Sequence, residues 1–206
     1  MIGPFPSWSR ILSALFVLLP LAGAAQNTVQ WTTNFYTVTG ETLREVHESL
    51  RQKRPWGDRP SVDGMTEWQL EWRFTVAPAE GGCRLSGFGT KTIILTTLPR
   101  WNAPAGASPL LRSTWSNYVH ALGLHEAGHA AIAFAAAADL QKQAKTNSAG
   151  PDCSTLQQNL NALGQRVLEE YRRRDDQYDE RTDHGATQGA RLPFGGRDPP
   201  GPGGPR

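Results

Sequence analysis

Between Met65 and Pro78 apolar and polar residues alternate, with Trp68, Leu70, Trp72, Phe74 and Val76 falling on one side. A period of two predicts a half-buried strand. The run "CRLSGFGTKTIILTTLP" from Cys83 to Pro99 predicts a second strand, bent at Gly87 or Gly89. The intervening "APAEGG" suits a hairpin connection. Upstream, "TVQWTTNFYTVTG" (Thr28 to Gly40) is rich in β-branched and aromatic residues and predicts another strand. In "ETLREVHESLRQKRP" the period changes. Leu43, Val46, His47 and Leu50 recur at helical spacing, and Pro55 stops the run. Helical signals dominate after Ser108, which suits an N-cap, with Pro109 in the first helical position. The spacing predicts one helix from Leu110 to about Lys145. "TNSAGPDCS" breaks it, and a second helix runs towards about Asp179, capped by Asp152 or Ser154. Strands followed by a helical hairpin predict an α+β fold, with a small antiparallel sheet packed on that hairpin.

The two ends read differently. "ILSALFVLLPLAGAA" (Ile11 to Ala25) follows a short segment with one positive charge and ends in small residues, the layout of a secretory signal peptide cleaved after Ala24 or Ala25. The apolar run is short for a bilayer span. Residues 191–206 are Gly/Pro-rich and predict a disordered tail. The expected organisation is therefore a signal peptide over 1–25, one domain over 26–190 and a tail. The chain is expected to be secreted or periplasmic, with no stable membrane span once the signal is removed. Export gives the only two cysteines a meaning, because an oxidising compartment favours a Cys83–Cys153 bridge. Charge adds little: 21 Lys+Arg stand against 19 Asp+Glu, which does not point to a nucleic-acid partner.

The apolar helix contains one anomaly, His125-Glu126-Ala127-Gly128-His129. Four residues bring two imidazoles to one helix face, one turn apart, where they can share a metal ion. Glu126 points off that axis and is free to contact a metal-bound water. This H-E-x-x-H arrangement belongs to zinc peptidases. Unpaired histidines on so apolar a face would be costly. A catalytic zinc needs a third protein ligand and one open position. If the second helix runs antiparallel to the first, its return brings "YDERTDHG" (Tyr178 to Gly185) near the motif. His184 is the expected third ligand, with Asp179 as the alternative ligand or a partner that orients an imidazole. Tyr178 is a candidate hydrogen-bond donor to a developing oxyanion. Glu169 or Glu170 would serve if the ligand were a helix-borne glutamate, although "EEYRRRDD" reads as a solvated, salt-bridged face. His47 and His120 read as structural, and the tryptophans as packing.

These segments together resemble a bacterial family of unknown function described as predicted secreted zinc-dependent proteases. The resemblance rests on "YTVTG" before a helix, W-x-L-x-W-x-F followed by Cys83 and "TTLPRW", Trp115 before "HEAGH", then Cys153, and the closing "YDERTDHGATQGA". It implies His125 and His129 as ligands and Glu126 as the catalytic residue. It also implies that Tyr178, Asp179, Thr182, His184 and Gly185 form the second half of the site. The expectation is a zinc-dependent hydrolase of a peptide or protein substrate, with a zincin-like helical hairpin. Its rivals are a zinc-stabilised binding or envelope protein without activity, and an amidase of cell-wall peptides.

Overall fold

The computed structural model describes residues 26–57 and 62–193. The expected signal peptide and the tail from residue 194 lie outside the described residues. Strand β1 (Thr28–Val38) leads to helix α1 (Leu43–Lys53). Strands β2 (Met65–Ala79) and β3 (Gly82–Trp101) follow, then helix α2 (Pro109–Thr146), the short strand β4 (Ala149–Gly150), helix α3 (Cys153–Thr182) and a 3-10 turn over Ala186–Gln188. The class is α+β. No described helix is long and apolar enough to cross a membrane.

The helix starts follow from side chains that satisfy otherwise orphaned amides. Thr42 caps α1 through the Glu45 amide, and the Glu45 side chain returns the bond in a capping box. Ser108 caps α2 beside Pro109. Asp152, rather than Ser154, caps α3 by accepting from the Thr155 amide.

The sheet order is β1-β3-β2, with β4 paired to the start of β3. β2 and β3 form the expected antiparallel hairpin, but β1 runs parallel to β3, from Thr28 opposite Lys91 to Val38 opposite Trp101. The sheet is therefore mixed, not wholly antiparallel. Alternation along a strand reports which face is buried, not which neighbour it pairs with. The expected irregularity near Gly87 is a register shift: Thr75 pairs with Gly87 and Val76 with Leu85, leaving Ser86 as the extra residue.

Helix α2 lies across the sheet and packs against α3, with two apolar clusters along its length. Near its start, Trp115, Tyr118 and Leu122 join Tyr36, Val38, Val46 and Leu50. Towards its end, Ala136, Ala137 and Leu140 meet Leu156, Leu160, Leu163 and Val167 of α3, with Leu70 of β2. Between these clusters the small Ala130 and Ala133 let the helix approach Ile94. Gly164 serves the same purpose on α3, because a Cβ there would come within 2.3 Å of the Trp72 ring.

Cys83 and Cys153 form a disulfide across a sequence separation of 70, joining β3 to the root of α3. Closing a loop of that length removes about 4 kcal/mol of denatured-state entropy in the chain-entropy account. The Cys83→Ala/Cys153→Ala double variant is expected to lose roughly this much stability, measured by urea denaturation beside the oxidised protein.

Candidate metal centre

The H-E-x-x-H segment falls at the middle of α2, at the seam between the two apolar clusters. His125, Glu126 and His129 are all buried, at 2 %, 3 % and 6 % exposure. Buried imidazoles require partners, and α3 supplies them. His125 Nε2 and His129 Nε2 stand 3.3 Å apart, and each lies 3.1 Å from Oδ1 of Asp179. His125, His129 and Asp179 form the one group of three potential metal ligands among the described residues, with their donor atoms mutually within 4.8 Å.

The opposite ring nitrogens are also engaged. His129 Nδ1 lies 2.8 Å from Oδ1 of Asp175, and His125 Nδ1 lies 3.0 Å from Oε1 of Gln188. Both acceptors favour a proton on Nδ1, which leaves the two Nε2 lone pairs aimed at a common centre. Trp68 of β2 donates its indole N–H to the other oxygen of Asp175 at 3.1 Å, fixing that carboxylate from the sheet side.

The electrostatics favour a cation at the centre. Burial opposes charge on His129, but hydrogen bonds to Asp175 and Asp179 outweigh it and raise its pKa to about 10. Burial likewise opposes the Asp179 carboxylate, yet the two imidazoles hold its pKa well below the usual range. In the metal-free protein a proton on His129 thus supplies the positive charge that the carboxylates require. Three donors at these separations fit one zinc ion, because bonds of 2.0–2.1 Å in a tetrahedron place ligand atoms about 3.3 Å apart.

Glu126 points elsewhere, into a cleft of about 270 Å³ lined by residues 62–67 on one side and by the α2 and α3 residues on the other. Its Oε2 is buried without a hydrogen-bond partner among the described residues. Burial raises its pKa, against the pull of Thr66 and the two imidazoles. Gly64 leaves the room this carboxylate occupies, since a Cβ there would meet Glu126 Oε1 at 2.6 Å.

The remaining expected residues occupy distinct positions. His184 lies outside the three-donor group, with Nδ1 3.3 Å from Oδ2 of Asp179 and its ring at the cleft wall. Tyr178 does not line the cleft. It stacks on the His125 ring at 5.0 Å, and its hydroxyl contacts the His125 carbonyl and Gln188. Thr182 closes α3, its hydroxyl accepting from the Gly185 amide. Asp183, His184 and Gly185 then adopt left-handed backbone, with φ of 48°, 49° and 84°. That turn presses Gly185 onto His125, so a Cβ there would come within 2.8 Å of the ring. Glu169 is not among the cleft residues, and Glu170 pairs with Arg173 and Arg174 on the surface. His47 bonds the Pro193 carbonyl, and His120 is exposed.

Asp175 departs from its sequence reading as part of a solvated face. Its signal was the four-residue spacing to Asp179, which mirrors His125 and His129 across the hairpin. Gln188 and Gly64 carry no comparable signal. Gly128 lies inside the motif because a Cβ there would meet the Tyr178 hydroxyl at 2.2 Å.

Two predictions follow from this packing. Glu126→Gln is expected to raise the melting temperature of the metal-free protein at pH 8. A carboxylate whose pKa is raised by folding favours the fold when protonated; it loses that contribution as pH rises, so the gain should fade towards pH 4. Thermal denaturation at both pH values checks the sign. Gly128→Ala, despite its better helix propensity, is expected to destabilise the protein by about 1–3 kcal/mol through overpacking against Tyr178, measured by chemical denaturation.

No curated protein and no solved structure matches this chain. A bacterial family profile covers residues 33–185, from the first strand to the glycine that packs on His125. The chain therefore belongs to the family described as "bacterial protein of unknown function (DUF922)".

Proposed function

We propose that this protein is a zinc-dependent hydrolase of peptide bonds in the extracytoplasmic space, with zinc held by His125, His129 and Asp179. The observation that carries this reading is the convergence of two Nε2 atoms and one carboxylate oxygen, within 3.3 Å of each other, beside a buried glutamate with a free oxygen. Asp179 is preferred to His184 as third ligand because it meets both imidazoles. His184 then steers Asp179 through its second oxygen. Zinc bound there would polarise a carbonyl and lower the pKa of a coordinated water.

The protein groups divide the remaining work. Glu126 accepts the proton of the attacking water on its unpartnered oxygen and returns it to the leaving amine. Its raised pKa brings it closer to the pH at which both transfers are efficient. Asp175 and Gln188 hold the imidazoles in one tautomer and orientation. Residues 62–67 run along the cleft into β2, an edge strand in the sheet order. An extended peptide pairing with that edge would bring its carbonyls over the site. The disulfide and the signal-like N-terminus support a location outside the cytoplasm.

The expected result is one zinc per purified chain, lost in Asp179→Ala and retained in His184→Ala, measured by elemental analysis. Loss in His184→Ala alone would move the third ligand to His184. A quenched-fluorescent peptide library should report cleavage by the wild type, lowered about a hundredfold or more by Glu126→Gln with zinc content unchanged. Zinc bound without any Glu126-dependent cleavage would identify a structural metal site instead.

A further inference from the structure

Val62 and Asp63 line the metal cleft but precede the sheet ladder, which begins where Met65 meets Thr97. Their polar groups therefore take partners from outside the sheet. Trp56 donates its indole N–H to the Val62 carbonyl at 2.9 Å, and Arg54 donates to the same oxygen at 3.4 Å. Tyr36 of β1 donates its hydroxyl to the Asp63 carbonyl at 2.7 Å. Tyr118 of α2 donates to Oδ2 of Asp63 at 2.8 Å, and Arg54 stands 3.7 Å from Oδ1. Both phenols are buried. Burial and the nearby Asp63 charge raise their pKa values, so each remains a donor.

The Tyr118 contact differs from the others because it comes from the helix of the metal centre. Tyr118 precedes His125 by seven residues, about two turns, and so shares its face. A second link lies further along: the Thr66 hydroxyl donates to the Glu126 carbonyl at 3.3 Å. From Tyr118 to Glu126 the helix rises about 12 Å at ~1.5 Å per residue. From Asp63 to Thr66 an extended chain reaches at most about 10 Å at ~3.3 Å per residue. The two spans are comparable, so this wall of the cleft runs alongside α2 in the same direction, tied at both ends. Between the ties lies Gly64, against the Glu126 carboxylate.

We propose that Tyr118, acting through Asp63, is a positioning residue that sets how far the peptide-binding wall of the cleft stands from the metal ligands on the same helix. One helix then carries both the ligands and the tether of the opposing wall, so the width of the cleft is fixed from α2 itself. The role of this wall in holding a peptide rests on the hydrolase reading, whereas the tether does not.

Tyr118→Phe removes the tether's hydroxyl and little else. In hydrogen exchange read by mass spectrometry, it should speed exchange of peptides spanning residues 63–67 about tenfold, with peptides of α3 unchanged. Zinc content and circular dichroism should stay as in the wild type. With a peptide that the wild type cleaves, KM should rise about tenfold while kcat stays within about twofold, the pattern of lost uniform binding. In an Asp63→Ala background the same substitution should add less than about twofold, because Tyr118 acts through Asp63. Unchanged exchange at residues 63–67 overturns the proposal. So does a fall in kcat at unchanged KM, which marks only a smaller folded fraction, and so does full additivity of the two substitutions. A wild type that cleaves no peptide sinks the hydrolase reading instead, and the exchange rates then decide the tether alone.

Discussion

Everything near the middle of α2 depends on one convergence, that of two imidazoles and a carboxylate drawn from different helices into a buried site. Neither buried imidazole would be tolerated there alone, since a buried polar group without partners costs about 1–3 kcal/mol. Together they form a set that is stable only with positive charge among them, supplied by a proton in the metal-free chain or by a metal ion. The surrounding residues are placed to keep this set aligned. Asp175 and Gln188 hold the far nitrogens, Trp68 holds Asp175 from the sheet, and Tyr178 lies flat against His125.

The glycines show how closely that alignment is packed. Gly128, Gly185 and Gly64 are distant in sequence, yet each marks a place where another site residue has taken the space of a Cβ. Gly128 makes way for Tyr178, Gly185 rests on His125, and Gly64 makes way for Glu126. The left-handed turn over Asp183 and His184 belongs to the same account, because backbone of that kind persists where the surroundings over-determine it. The missing Cβ at three positions is the local requirement for fitting Tyr178, His125 and Glu126 between two helices and the segment that leads into β2.

Much of this was legible in the sequence. Periodicity revealed the helices and the β2–β3 hairpin, and the four-residue interval from His125 to His129 located half of the cluster. The cysteine count anticipated the disulfide. The return of the second helix brought "YDERTDHG" to the motif; residue type ranked His184 above Asp179, whereas Asp179 is the group that meets both imidazoles. It also assigned Asp175 to a solvated face because its neighbours Arg173, Arg174 and Asp176 are solvated. Local composition describes a helix as a whole, whereas the hairpin selects one stripe of it, and that stripe contains Asp175, Tyr178, Asp179 and Thr182. The parallel pairing of β1 was illegible for a different reason: alternation contains no information about a strand's neighbour.

The disulfide has a mechanical meaning as well. Cys153 stands at the root of α3 and Asp179 lies twenty-six residues along it, a lever of about 39 Å at ~1.5 Å per residue. A tilt of only ~2° at the root would move the far carboxylate by about 1.4 Å, beyond the ~0.5 Å within which a functional constellation must be held. The aliphatic contacts of Leu156, Leu160, Leu163 and Val167 therefore act as a clamp along the lever, and the covalent anchor fixes its pivot. Angular stiffness of a long helix, set at a point remote from the chemistry, determines whether two imidazoles and a carboxylate can meet.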